Sequence, residues 1–168
     1  MSVVIDVRDL VAQPGSSRFV RVDEVVPGMA TQLAAVPDDR PIDADLLLEG
    51  VVDGVLVTGP VSGVMRLSCA RCLKAFDRPF TLEVQEMFAS GAERPDDQYP
   101  LGAEGSLDLE PMIRDAVILA MPFAPLCRPD CRGLCARCGG DRNLGECTCP
   151  PKVDPRWAPL IDLKLDED

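Results

Sequence analysis

The sequence predicts an α+β protein: an antiparallel, partly barrel-like sheet with one covering helix, followed by a C-terminal ribbon-like cysteine cluster. Three observations lead there. From Val3 to Ala89 the apolar residues come in short runs of strand length, punctuated by Gly, Pro and Asp. One later stretch, about residues 108–121, repeats its apolar positions at helical spacing. The chain also holds eight cysteines and no histidine, with six of the cysteines packed between Cys127 and Cys149. At 168 residues it is long enough for one domain with a real core and too short for two ordinary ones. The expected organisation is a mostly-β body over residues 1–126 and a cysteine-rich segment with its tail over 127–168, packed on that body.

Taken in order, the runs VVIDV, FVRV, LLLEGVV, VLVTG, VSGVMRL and FTLEVQEMF each read as a strand. Asp53-Gly54 is a two-residue hairpin signal, and Gly59-Pro60 marks the next turn. Ala30 to Asp45, with Pro37 and Pro41 around two aspartates, reads as a strand end followed by a loop. Ser90 to Gly105 is rich in Gly, Pro and acid without any period, which predicts an exposed, partly disordered loop. Beyond it, Asp108 can cap a helix in which Ile113, Ala116, Val117 and Ala120 recur at helical spacing, with Glu110 near the positive end of its dipole. Pro111 is tolerable because it lies in the first turn, and Pro122 ends the helix. Trp157 and Leu160 are expected to anchor the tail against the body.

The cysteines carry the chemistry. Cys69 and Cys72 form one C-x-x-C pair; Cys127, Cys131, Cys135, Cys138, Cys147 and Cys149 follow after 54 intervening residues. That is enough thiolate for two structural Zn²⁺ sites of the four-sulfur, closed kind. Without histidine, the chain lacks the commonest ligand of an open catalytic site and the usual general base. Both C-x-x-C pairs resemble zinc knuckles, and Gly139-Gly140 supplies the flexible residues such a turn needs. Grouping Cys135, Cys138, Cys147 and Cys149 closes only short loops and leaves Cys69 and Cys72 to meet Cys127 and Cys131; crossed pairings are the alternative. The long closure costs about 3–4 kcal/mol, well below the roughly 10–16 kcal/mol of a structural zinc. Two rivals are weaker. A redox C-x-x-C would stand at a helix N-terminus and leave six cysteines over. The spacing Cys131-x-x-x-Cys135-x-x-Cys138 also fits a radical-enzyme iron–sulfur site, but that motif opens a much larger barrel.

A formal charge of −11, which two four-thiolate zinc sites would take to −15, argues against nonspecific nucleic-acid binding. The N-terminus lacks the basic start and continuous apolar run of a secretory signal, and no apolar stretch approaches membrane length, so a soluble, cytoplasmic protein with reduced thiols is expected. Charge is polarised along the chain: residues 127–156 carry a surplus of +2 and the rest −13. Arg128, Arg132, Arg137 and Arg142, extended by Arg71 and Lys74 on the first knuckle, either offset the anionic clusters or contact RNA phosphates or a partner. With one Trp and one Tyr, base stacking along a single strand is not expected.

The order of a strand with CxRCL, an acidic loop, SLDLEPMIRDAVILAMPFAPLC, the LCRPDCRGLCARCG run and a closing DPRWAPL resembles the YceD family, the bacterial and plastid large ribosomal RNA subunit accumulation proteins. The similarity covers about Leu46 to Leu160 and is most specific where the helix runs into LCRPDCRGLC. The resemblance implies a role in accumulation of 23S ribosomal RNA and large-subunit assembly, and it transfers only the cysteines, as metal ligands. The resulting expectation is a non-enzymatic, zinc-stabilised factor without a small-molecule substrate. Its partner would be a large-subunit precursor or a basic ribosomal protein, with at most a local contact to ribosomal RNA. The alternative is a thiol redox or metal-homeostasis protein using the C-x-x-C pairs.

Overall fold

A computed structural model describes residues 3–89, 95, 98–102, 104–150 and 156. Its elements run β1 (Val4–Asp6), α1 (Arg8–Ala12), β2 (Ser17–Glu24), β3 (Ala34–Ala35), β4 (Ile42–Val51), β5 (Gly54–Ser68), β6 (Ala75–Ala89), β7 (Tyr99–Pro100), β8 (Ser106–Asp108) and α2 (Glu110–Ala120). The main sheet has the order β2-β4-β5-β6-β7, with β3 pairing beside β5, while β1 and β8 form a separate two-stranded ribbon. All pairs are antiparallel except β6 with β7.

The α+β class stands, but the sheet is open. Its outermost strands, β2 and β7, do not meet. In place of closure, α1, α2 and the β1–β8 ribbon bury one face. Alternation explains which face: in β4, Ile42, Ala44, Leu46 and Leu48 are buried, while Asp43, Asp45, Leu47 and Glu49 turn the other way. The buried set joins Val55, Val57, Val61, Met65 and Leu67 of β5 and Val84 and Phe88 of β6 in one core with Leu10 of α1 and Met112, Ile113 and Val117 of α2.

α2 covers the sheet with Met112, Ile113 and Val117, while Ala116 is half-buried and Ala120 exposed. Its cap departs from expectation: Leu109 occupies the N-cap position, yet the Asp108 carboxylate one residue earlier still accepts the Glu110 N–H at 3.1 Å. Arg114 pairs with Glu110 one turn back at 2.6 Å and donates to the Pro27 carbonyl at 2.9 Å, tying the helix to the β2–β3 connection. α1 has no counterpart in the sequence reading; five residues with one buried leucine set no visible period.

Four expectations are corrected. The hairpin at Asp53-Gly54 exists, but its loop residues are Val52 and Asp53, with Gly54 already paired to Val51. Gly59-Pro60 is not a turn: β5 runs through it, and the ladder to β4 is merely interrupted between Ala44↔Val61 and Leu47↔Thr58. Gly59 has φ +143°, and a Cβ there would lie 2.3 Å from the Asp45 carbonyl oxygen, so the glycine serves a close strand approach and not a reversal. Ala30 to Asp45 contains β3 and the start of β4, so Ile42 to Asp45 is strand. Finally, the described part of the expected loop at 90–105 is woven into the fold: Tyr99 stacks on Phe88 with ring centroids 5.3 Å apart and donates to Asp115 of α2 at 3.0 Å. Expected disorder in the remainder of that loop, and anchoring by Trp157 and Leu160, fall outside the described residues.

Gly59→Ala is expected to destabilise the protein by about 2–3 kcal/mol through backbone overpacking, lowering Tm by roughly 4–12 °C for a chain of this size. Thermal unfolding followed by circular dichroism checks it; an unchanged melt would show that β4 and β5 can separate freely there.

Candidate metal centre

β5 and β6 are the two longest strands, and their fifteen-residue pairing carries the connecting turn away from the core's centre. That turn, residues 69–74, is the first knuckle. The Cys69 N–H donates to the Lys74 carbonyl at 3.0 Å and the Leu73 N–H to the Cys69 carbonyl at 2.9 Å. Residues 135–140 repeat it: Cys135 N–H to the Gly140 carbonyl at 2.9 Å, Gly139 N–H to the Cys135 carbonyl at 2.8 Å. Both read Cys-Ala-Arg-Cys. In each, the residue after the second cysteine is left-handed, Gly139 at φ +73° and Leu73 at φ +60°. Glycine accepts that conformation freely, whereas leucine adopts it against its Cβ.

The eight sulfurs fall into two groups of four, Cys69, Cys72, Cys127 and Cys131, and Cys135, Cys138, Cys147 and Cys149. Within each group all ligand atoms lie within 4.8 Å of one another. In the first, Cys69 and Cys131 sulfurs are 3.8 Å apart and Cys72 and Cys127 sulfurs 3.7 Å. A tetrahedral ion with metal–sulfur distances of about 2.3 Å sets its sulfurs about 3.8 Å apart, nearly twice a disulfide length. All eight cysteines are free thiols, so the donor set, spacing and number fit a four-coordinate, thiophilic cation twice over.

The backbone prepares each site for such a charge. Burial pushes the Cys69 thiol up, but N–H groups of Cys127, Cys72 and Arg71 aimed at its sulfur prevail and hold it at about 6. N–H groups of Cys138 and Arg137 bring Cys135, the matching position of the second knuckle, to about 6 as well. Burial and the neighbouring Cys72, Cys131 and Cys69 thiols push Cys127 up to about 12; hydrogen bonds with Cys138 and Cys147, then burial, do the same to Cys149. A bound cation would take the place of the remaining protons.

The two groups are joined by backbone and by one side chain. Leu134 N–H donates to the Arg71 carbonyl at 2.9 Å and Arg142 N–H to the Gly133 carbonyl at 3.0 Å. Asn143 sits at the join: its oxygen accepts the Arg132 N–H at 2.8 Å and an Arg128 guanidinium N–H at 2.9 Å, and its amide nitrogen faces the Cys131 sulfur at 3.6 Å and Asp141 at 2.7 Å. Sequence reasoning passed over Asn143, because an asparagine in the Gly-rich stretch GGDRN reads as turn chemistry; its one signal was the Asp-x-Asn spacing, which here forms a local turn with Asn143 N–H on Asp141 at 2.8 Å.

The expected contact residues separate into groups. Arg71 turns inward and donates to the Cys131 carbonyl at 2.8 Å, bracing the first tetrad. Arg128 divides between Asn143 and Asp130. Lys74 and Arg128 meet at a cavity of about 370 Å³ beside the first tetrad, with Cys72, Phe76, Cys127, Asp141, Asn143 and Leu144. Arg132, Arg137 and Arg142 are exposed and gather at no common point among the described contacts. Cys69-x-x-Cys72 stands in a strand–strand turn, not at a helix N-terminus, which removes the structural basis of a thioredoxin-like reading.

Residues 57–164 match the family model of the large ribosomal RNA subunit accumulation protein YceD. The chain belongs to the YceD family. An uncharacterized protein of Mycobacterium leprae is 34% identical over 96% of this chain and 77% of its own length, and one of Mycobacterium tuberculosis 34% identical over 96% and 81%. The maize chloroplastic YCED homolog 1, a large ribosomal RNA subunit accumulation protein by name, is 36% identical over 34% of this chain and 20% of its own. No solved structure matches the chain significantly. The YceD match spans both tetrads, α2 and the β5–β6 hairpin that carries the first knuckle.

Exposure separates the tetrads: Cys69 and Cys131 are 0% and 1% exposed, whereas every ligand of the second tetrad is half-buried or open. In metal-loaded protein a chelator is expected to empty the second tetrad first, so that alkylation read by mass spectrometry marks Cys135–Cys149 before Cys69–Cys131; the reverse order would contradict the geometry. Asn143→Ala should lower metal affinity of the first tetrad about 10–100-fold, as loss of a group orienting a ligand does. Competition with a chromophoric chelator measures it.

Proposed function

We propose that this protein is a non-enzymatic, zinc-stabilised factor that promotes accumulation of the large-subunit ribosomal RNA and assembly of the large subunit by holding a ribosomal protein or an assembly precursor. The observation that carries this is the pair of four-thiol sites. Each uses all its sulfurs on itself and so organises chain, leaving no open position for chemistry. Zinc is the favoured ion because it prefers tetrahedral thiolate, has no redox chemistry of its own, and suits thiols kept reduced in a cytoplasm. Among the described residues the core contains no buried polar or charged side chain, which supports a scaffold over an acid–base enzyme. The name of the family, and of its plant members, supplies the RNA.

A chain of net −11 suits a basic protein partner, while the locally basic metal end, with Lys74 and Arg128 at one cavity, suits a limited phosphate contact. No helix among the described residues is long and apolar enough to cross a membrane. Purified protein is expected to hold two zinc ions per chain, show no visible absorption, and present no alkylatable thiol until chelated. Deleting the gene should lower large-subunit RNA several-fold relative to small-subunit RNA, and Cys69→Ser should fail to restore it. A brown protein would assign the tetrads to iron; unchanged RNA levels on deletion would refute the function.

A further inference from the structure

Among the described residues the second face of the main sheet keeps its central side chains exposed or half-buried, and its composition is not that of a solvated face. Ladder pairing places Phe19 of β2 beside Leu47 of β4 and Thr58 of β5, and Leu56 of β5 beside Met87 of β6 in the adjacent row. Phe19 is 80% exposed. A one-sided antiparallel sheet ordinarily shows polar side chains outward, so an apolar centre built from four strands marks a contact surface. Carboxylates ring it: Asp23, Asp43, Asp45, Glu49 and Glu83 project on the same side by register. Arg21 alone among them is cationic, and it is engaged by Asp43 at 3.5 Å and Asp45 at 3.8 Å. Asp23, Glu49 and Glu83 have no ion pair among the described residues.

We propose that this face docks a Lys/Arg-rich protein segment that places one apolar side chain against Phe19 and Leu47. This deepens the functional proposal above and rests on it for the class of partner. Charge decides among occupants. RNA phosphate and anionic lipid are repelled by a surplus of four carboxylates over one guanidinium, and a second copy docked face to face would set carboxylate against carboxylate. A basic segment meets both features at once: cations for the unpaired carboxylates, and an aliphatic stem or apolar residue for the uncovered ring. The metal end lies at the far end of the β5–β6 hairpin, so the acidic face and the Lys74–Arg128 cavity can be occupied together.

The test places a photoreactive phenylalanine analogue at position 19 of the full chain and offers two probes, RNA-free total protein from purified large subunits and naked 23S ribosomal RNA. The expected result is a crosslink to one protein of the first probe, within a Lys/Arg-rich segment, and none to the RNA. Phe19→Ser, and separately Glu49→Lys with Glu83→Lys, should each weaken retention of that protein at least tenfold at constant Tm. Crosslinking to RNA, to a second copy, to residues 151–168 of the same chain, or to nothing would overturn the proposal, as would retention unchanged in both variants. The two readings fail separately. If wild type and Phe19→Ser restore large-subunit RNA equally in a deletion strain, the docking face falls and the function stands; if wild type restores nothing, the function falls.

Discussion

Everything at the functional end of this protein depends on one clasp: Cys69 and Cys72, at the turn of the longest hairpin, brought to within sulfur–sulfur contact of Cys127 and Cys131 on the chain leaving α2. The sheet would form without it, since its ladder is hydrogen-bonded and its core apolar. What the clasp adds is a fixed relation between the sheet and everything after the helix. The segment 127–149 has little regular structure of its own: a single bridge, between Leu134 and Asp141, and a series of turns. Such a segment cannot bury enough apolar surface to order itself, so the two groups of cysteines stand where a core would be.

The second tetrad inherits its position from the first. It shares backbone hydrogen bonds with the first knuckle, and Asn143 couples the two by contacting Cys131 while capping the turn at Arg132. The arginines fall into the same hierarchy. Arg71 is committed to holding the first tetrad together, while Arg132, Arg137 and Arg142 remain at the surface. A cation next to a cysteine ligand can thus be a strut or an outward-facing contact, and only its reach to a carbonyl tells which.

Strands were legible where an apolar run carries them: LLLEGVV marked the second half of β4, while residues 42–45, with Pro41 before them and two aspartates among them, have the composition of a loop, and α2 showed its period. Features that rest on tertiary meeting were not. Gly59-Pro60 has the composition of a turn, but the glycine answers to a carbonyl on a neighbouring strand, a constraint that no local window contains. Whether a sheet closes depends on which edges meet, and β7, two residues long and parallel, is held by a contact between Tyr99 and Phe88 that lies outside any strand signal. The cysteine groups were readable from loop lengths because closure entropy favours short loops. Asn143 was not, because its value lies in reaching Arg128, Cys131 and Arg132 across a turn, which the composition of its own stretch does not show.

The two knuckles differ in how far along the chain their partner cysteines lie. The second tetrad draws its ligands from fifteen consecutive residues and has a glycine where its turn needs one, so it can assemble as soon as that stretch exists. Cys69 and Cys72 must wait through 54 residues, on a turn whose Leu73 resists its own backbone conformation. During synthesis the stretch after β5 therefore carries two of its four cysteines while β6 and α2 are added. Cys127 and Cys131 follow α2 in the chain, so the first group of four has all its members only once the sequence of β6 and of the covering helix has been made, and before the second group has its last member, Cys149.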